Sequence, residues 1–201
     1  MKTYIQHYGI LGCVRLAVEY ILTRVFFHDA RLIRQPFEIR GASGIRLARG
    51  FTTGRYCRLE AHGSDGINLN IGLNCQLNDA VHIAAADSIV IGDDVLIASR
   101  VFITDLNHGN YSGEEHSHPD SISRERTLHT KPVVIESNVW LGEGAVVLPG
   151  VTIGKGSIIG ANSVVSRDIP ANSIAVGNPA RVIKQFDFQL EQWVTIGGNN
   201  D

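Results

Sequence analysis

The side chains of this 201-residue chain that could act as base, nucleophile or metal ligand are few: eight histidines, three cysteines and scattered carboxylates. His108 has the most telling setting. It stands where a strictly periodic stretch stops and an aperiodic one, roughly 106–132, begins, carrying Asn107, His108, Gly109, Gly113, His116, His118 and Pro119. A loop this long inside a regular core is usually functional or disordered. An imidazole titrates near neutrality, so His108 can take a proton from a hydroxyl under attack. Asp105, three residues earlier, could orient that ring and stabilise its cation. His116, His118 and His129 read as solvated loop histidines. Cys13, Cys57 and Cys75 are odd in number and match no metal or redox spacing, which points to reduced thiols in a cytoplasmic protein.

The element that must hold His108 is a six-residue beat. Aliphatic residues fall at Ile71, Leu77 and Ile83, then after two extra residues at Ile91, Ile97 and Ile103. After the interruption they resume at Ile135, Leu141, Val147, Ile153, Ile159 and Val165. Four residues after most of them comes a second small or apolar residue: Cys75, Val81, Val95, Val101, Val139, Ala145, Val151, Ser157, Ser163 or Ile169. The two failures, Asp87 and Asn107, sit where the extra residues enter. Three hexads make an 18-residue coil, so Ile135 should stack on Ile153, Leu141 on Ile159 and Val147 on Val165, each coil ~4.8 Å above the last. The expected architecture is an all-β, three-sided parallel β-helix with a solid aliphatic core.

The ends carry other signals. Residues 1–34 read as helix within an N-terminal cap of residues 1–35, with Val14, Val18, Ile21, Leu22, Val25 and Phe26 as one apolar stripe and Arg15, Glu19 and Thr23 opposite. The stripe is expected to cover the open end of the β-helix, whose strand edges are otherwise unpaired. A second reading rests this segment on an anionic membrane surface as a peripheral contact, since residues 1–60 hold ten Lys/Arg against four Asp/Glu. Charges at Arg15, Glu19 and Arg24 interrupt the apolar run, which argues against a cleavable signal peptide and a membrane span. The β-helix domain is expected over residues 36–184, with an irregular first coil placing Leu47, Thr53 and Leu59 inward, the loop at 106–132, and one more strand from Val176 to Ile183. The tail 185–201 is expected to include a short helix from Phe186 to Trp193.

Six motifs carry a family resemblance: Ile91 to Ser99 (IGDDVLIAS), Asp105 to Gly109 (DLNHG), Asn138 to Gly142 (NVWLG), Pro149 to Gly154 (PGVTIG), Gly160 to Val165 (GANSVV) and Gly177 to Arg181 (GNPAR). The chain resembles the hexapeptide-repeat acyltransferases over about residues 67 to 184, and within them the galactoside and maltose O-acetyltransferases and the O-acetyltransferases of surface-polysaccharide clusters. The resemblance implies a left-handed β-helix, a homotrimer with intersubunit sites, acetyl-CoA as co-substrate, and His108 as general base in direct attack by a sugar hydroxyl. It implies Trp140 at the thioester arm, backbone at Gly142, Glu143, Gly160 and Ala161 along the pantetheine, and Ser166, Arg167, Arg181 and Lys184 near the nucleotide. Asn78, with His82 four residues on, falls on the acceptor side. A developing oxyanion would be met by backbone N–H groups near Gly142.

Alternatives remain at this stage: an N-acetyltransferase of a nucleotide-linked amino sugar, or a β-helix without catalysis used as a scaffold. Zinc held by three histidines would need them at set corners of successive coils. The coils from Ile135 to Pro170 contain no histidine, so no metal is expected.

Overall fold

The computed structural model describes residues 2–63 and 66–196. The chain winds as a three-faced parallel β-helix. Successive strands of the first face are Phe37–Arg40, Cys57–Ala61, His82–Ala85, Phe102–Thr104, Val146–Val147 and Val164–Val165. The second face stacks Ile45–Leu47, Leu69–Ile71, Ile89–Ile91, Val133–Ile135 and Thr152–Ile153. The third stacks Thr52–Thr53, Gln76–Leu77, Leu96–Ile97, Trp140–Leu141, Ile158–Ile159 and Ser173–Val176. The stacking is in the expected register: Ile135 on Ile153, Leu141 on Ile159 and Val147 on Val165.

All twelve beat residues are at most 1% exposed, so the repeat is a packing requirement and not a compositional accident. Ser157 and Ser163 in the second register are also fully buried, and each has an answer for its hydroxyl. Ser157 Oγ donates to the Pro170 carbonyl at 2.8 Å, and Ser163 Oγ accepts the Gly177 N–H at 3.0 Å. A buried hydroxyl without a partner would cost about 1–3 kcal/mol. The first coil is more regular than the sequence suggested, with Thr53 and Leu59 completely buried and Leu47 packed against the core.

Both ends differ from expectation. The helix spans Lys2–Phe26 and breaks at Gly9, whose φ of 66° is left-handed. It ends short of residue 34 because Leu32 bridges Thr52 of the first coil. Its orientation is inverted as well: Glu19 and Thr23 are the buried residues, while Val14, Val18, Ile21, Leu22, Val25 and Phe26 are exposed. Directed polar bonds set that orientation. Thr23 Oγ1 accepts the Ile33 N–H at 2.9 Å, the Gln35 N–H reaches Glu19 at 3.3 Å, and Arg55 forms an ion pair with Glu19.

At the other end the predicted strand from Val176 to Ile183 is two antiparallel strands, Ser173–Val176 and Arg181–Asp187. The predicted helix from Phe186 to Trp193 is a hairpin between Arg181–Asp187 and Gln192–Thr195. Asp187 accepts the N–H groups of Gln189 and Leu190 at 2.8 and 3.0 Å, fixing the turn, and the Phe186 ring packs edge-on against Trp193. No helix among the described residues is long and apolar enough to cross a membrane.

Candidate active site

His108 leaves the prism at the edge where the first face turns into the second. Phe102–Thr104 continues through Asp105 into Leu106–His108, which pairs antiparallel with Leu128–Thr130. The insertion is therefore a ribbon with an ordered tip and not a slack loop. His108 is exposed at the end of the ribbon. Its main chain is fixed from two sides: the Gly109 N–H donates to the Thr127 carbonyl at 3.1 Å, and the Tyr111 hydroxyl donates to the His108 carbonyl. Arg126 in turn donates to the Tyr111 hydroxyl at 2.8 Å, to Ser121 Oγ at 2.8 Å and to the carbonyls of His118, Pro119 and Ser121. Gly109, at φ 109°, is required here, because a Cβ would stand 2.9 Å from the Tyr111 hydroxyl and 2.7 Å from Ser117 Oγ. Sequence reasoning missed Tyr111 and Arg126, since an aperiodic stretch gives no spacing from which to infer a partner.

Asp105 does not orient His108 within the chain. Its carboxylate is fully buried and accepts three main-chain N–H groups, from Ala86, Asp87 and Ser88, at 2.7–2.8 Å. Those residues are where the coil beneath takes two extra positions. The carboxylate thus ties that widened corner to the start of the ribbon that carries His108.

The second group of predicted residues lies on the edge where the third face turns into the first. Trp140 is 47% exposed on the third face, flanked in register by Leu96 and Ile158. Above Ile158 come Ile174 and then Lys184, so Lys184 stands three strand spacings up the Trp140 column, about 14 Å. Gly142 and Gly160 stack at the corner beside this column. A Cβ on Gly142 would meet Ala161 N at 2.6 Å, and one on Gly160 would meet Val176 at 2.7 Å; Val176 pairs with Arg181. Close stacking of the coils thus requires glycine at both positions, and no side chain projects from them.

Other corner N–H groups are capped by side chains: Leu73 by Asp93, Asp93 by Ser137, Lys155 by Glu136 and Arg55 by Asp79. Among the described residues, the N–H groups of Glu143 and Ala161 have no such acceptor. They are open donors along the edge. The Gly142 N–H, by contrast, is already given to the Ile159 carbonyl at 2.8 Å, so an oxyanion donor near this corner would have to be a neighbour of Gly142. The Glu143 carboxylate pairs with Arg100.

Ser166 and Arg167 are exposed just past Val164–Val165, on the His108 edge. They reach the same end of the prism as Arg181, because the Val164 carbonyl accepts the Ala180 N–H at 2.8 Å. Asn78 occupies the Trp140 edge two coils lower, and its Oδ1 accepts from Gln76 at 3.2 Å. His82 lies on the first face with Nε2 2.8 Å from Glu60, above Arg58, and its ring centroid is 5.0 Å from that of Phe102. Burial alone would raise the Glu60 carboxyl. The His82 hydrogen bond and the charges of Arg58 and Arg40 outweigh it and hold the carboxyl below the usual carboxylate range. This cluster was not visible in the sequence, because it joins successive coils: Arg40 and His82 lie 20 and 22 residues from Glu60.

One face therefore separates the two groups. His108 departs from one edge of the first face and the Trp140 to Lys184 surface occupies the other, some five residues or about 16 Å away across the strands. Among the described residues no three of His, Cys, Asp and Glu gather as a metal site.

Residues 132–167 match the family described as bacterial transferase hexapeptide (six repeats). The chain is 44% identical over 189 residues, 94% of its length and 95% of the relative's, to a protein of Escherichia coli (strain K12) named as a lipopolysaccharide biosynthesis O-acetyl transferase, WbbJ. It is 37% identical over 124 residues to the galactoside O-acetyltransferase of the same organism, covering 62% of this chain and 57% of that one. Among solved structures, the hexapeptide-repeat acetyltransferase VCA0836 of Vibrio cholerae O1 biovar eltor, complexed with acetyl coenzyme A, superposes with a TM-score of 0.57 at 28% identity. That match covers 85% of this chain and 78% of that one. With its stacked hexads and a relative matched along nearly its whole length, the chain belongs to the hexapeptide-repeat acetyltransferases, enzymes built on the left-handed β-helix.

Proposed function

We propose that the chain transfers an acetyl group from acetyl-CoA to a sugar hydroxyl of a surface-polysaccharide precursor, with His108 as general base. The observation that carries this reading is the Trp140 edge. It offers an exposed indole, a corner free of side chains at Gly142 and Gly160, open N–H donors at Glu143 and Ala161, and cations at Arg181 and Lys184 about 14 Å beyond. An extended donor with amide groups along its arm and phosphates at its far end fits that order. The amides would accept from Glu143 and Ala161, and the phosphates would meet Arg181 and Lys184, with Ser166 and Arg167 reaching them from the His108 edge at the same end of the prism.

In the reaction the acceptor oxygen attacks the thioester carbonyl as its proton passes to the His108 imidazole. The tetrahedral adduct then collapses, the carbon–sulfur bond breaks, and the leaving thiolate takes the proton back from the imidazolium. No acyl-enzyme is needed, in keeping with Cys57 and Cys75 being buried in the prism. Because His108 and the Trp140 edge face away from each other in one chain, a complete site requires the His108 edge of a neighbour, and a closed homotrimer provides three such pairings. Asn78 on the Trp140 edge and His82 beside it would meet the sugar. The O-acetyl transferase name of the 44% relative supports the sugar hydroxyl as acceptor, and its lipopolysaccharide role supports a site of action at the inner face of the membrane.

The test is release of free thiol from acetyl-CoA with sugar hydroxyl acceptors and with a nucleotide-linked amino sugar. Transfer to the hydroxyl sugars, lowered at least 100-fold in His108→Ala with acetyl-CoA binding kept, is expected. Transfer only to the amine, or unchanged turnover in His108→Ala, overturns the reading.

A further inference from the structure

The N-terminal helix turns its polar side to the prism and leaves an apolar arc outside. Beyond the break at Gly9, the residues Ile10, Leu11, Val14, Val18, Ile21 and Val25 are 50–86% exposed. At about 100° per residue they fall within a single arc roughly 100° wide. That arc contains no charged residue. Arg15 and Arg24 lie roughly 40° beyond its two borders, one on each side. The one acid of the helix, Glu19, is withdrawn from the surface, 2% exposed and paired with Arg15 and Arg55. The Arg24 guanidinium is held over the Tyr20 ring, 5.0 Å from its centroid, and donates to the His28 carbonyl at 2.9 Å. The outward surface of the helix is thus hydrocarbon with a cationic border and no exposed acid.

We propose that this arc docks the protein on an anionic phospholipid surface, the helix lying in the plane of the interface. The stretch from Ile10 to Phe26 is about 25 Å long, and no described helix is apolar enough to span a bilayer, which leaves lying along it. Aliphatic side chains enter the boundary between headgroups and acyl chains, and arginines at the borders reach lipid phosphates. A second copy of the chain is the poorer occupant. A self-complementary contact across this arc would set cationic borders against cationic borders with no exposed acid on either helix to answer them. The inverted docking follows from this role: the polar bonds of Glu19 and Thr23 anchor the helix to the first coil and release its apolar arc for another phase. The inference stands independently of the acyl-transfer chemistry.

The experiment is co-sedimentation of the full chain with vesicles of phosphatidylcholine alone and of phosphatidylcholine with phosphatidylglycerol. It is run on the natural chain and on the triple variant Leu11→Gln, Val18→Gln, Ile21→Gln. The natural chain is expected to bind the anionic vesicles at least tenfold better than the neutral ones, with binding weakened by 0.5 M salt. The triple variant is expected to lose at least tenfold of that binding while keeping its thermal transition, its assembly mass by light scattering, and its vesicle-free thiol-release activity. Arg24→Gln should lose several-fold with no change in those controls. A natural chain left wholly in the supernatant of anionic vesicles, a triple variant that binds like it, or a triple variant whose assembly mass falls would each overturn the proposal, the last by making the arc a contact between copies.

Discussion

The Tyr111 hydroxyl donates to the carbonyl oxygen of His108 and accepts from Arg126 at 2.8 Å. An exposed phenol is thereby the brace between a guanidinium with five hydrogen-bonding partners and the main chain that presents the imidazole. Ribbon tips are where chains fluctuate most, and a histidine acting as general base, the role proposed for His108, gains from being held to a fraction of an ångström.

Tyr111→Phe removes the brace without removing the ring. Turnover is expected to fall on the order of tenfold, equivalent to about 1.4 kcal/mol of barrier, with KM for acetyl-CoA within twofold and the melting temperature nearly unchanged, because Tyr111 is exposed. Arg126→Met, which cuts all five bonds, should cost more turnover than Tyr111→Phe. Steady-state kinetics beside thermal unfolding check both, and equal losses in turnover and KM would assign Tyr111 to donor binding instead.

Much of this fold is legible in the sequence, and the boundary of legibility is physical. The twelve beat residues could be read because a triangular prism admits only an aliphatic side chain of limited size at each inward position, which repeats along the sequence. The His108 exit could be read because the repeat stops there. Asp105 could not, since its three N–H partners belong to a corner 17–19 residues earlier and nothing in a local motif distinguishes that from an imidazole three residues later. The helix face was misread for a different reason. Hydropathy alone predicts that an apolar stripe seeks the nearest core, whereas Glu19, Thr23 and Arg55 fix the opposite face by directed bonds that hydropathy does not register. Likewise the Asp187 turn overrode a tail whose spacing suggested a helix.

Asp105 gives the second prediction. Asp105→Asn retains shape but turns one charged acceptor into an amide whose NH2 must face main-chain donors. With the site completely buried, the loss is expected at roughly 2–4 kcal/mol of unfolding free energy. Turnover should fall with it as the ribbon shifts, while the pH dependence of kcat/KM keeps its midpoint. Denaturant unfolding and a pH profile check this. A midpoint that moves down by a unit or more in the variant would mean that the carboxylate does act on the imidazole in the assembled enzyme.

Glu60 predicts an acid limb of stability. Its carboxyl is held below the usual range in the folded chain, chiefly by the His82 hydrogen bond and then by Arg58 and Arg40, against the opposing effect of burial. A group with a depressed folded-state pKa stabilises the fold above its unfolded value, and that stability is lost as pH falls through the folded one. The melting temperature should therefore decline from about pH 5 downward, and Glu60→Gln should start lower at pH 7 and decline less. Melting curves from pH 7 to pH 3 decide it; parallel declines in the two proteins would take Glu60 out of the acid limb.

The thiols supply the last prediction. Burial pushes the Cys75 thiol up to about 11 and raises that of Cys57 as well, and each thiol donates to a backbone carbonyl, Gly92 at 3.0 Å and Asn78 at 2.9 Å respectively, a bond that the thiolate cannot make. Reaction with an alkylating agent requires thiolate and access, and both cysteines lack the two in the folded chain. Cys13, partly exposed on the helix, has access. In native protein at pH 7.5, iodoacetamide is expected to modify Cys13 alone and to leave acetyl transfer unchanged, with Cys57 and Cys75 reacting only after unfolding, at rates that track the denaturant transition. Peptide mass analysis of the labelled protein checks this, and native-state labelling of Cys75 would mean that the prism opens locally at its second coil on the time scale of the reaction.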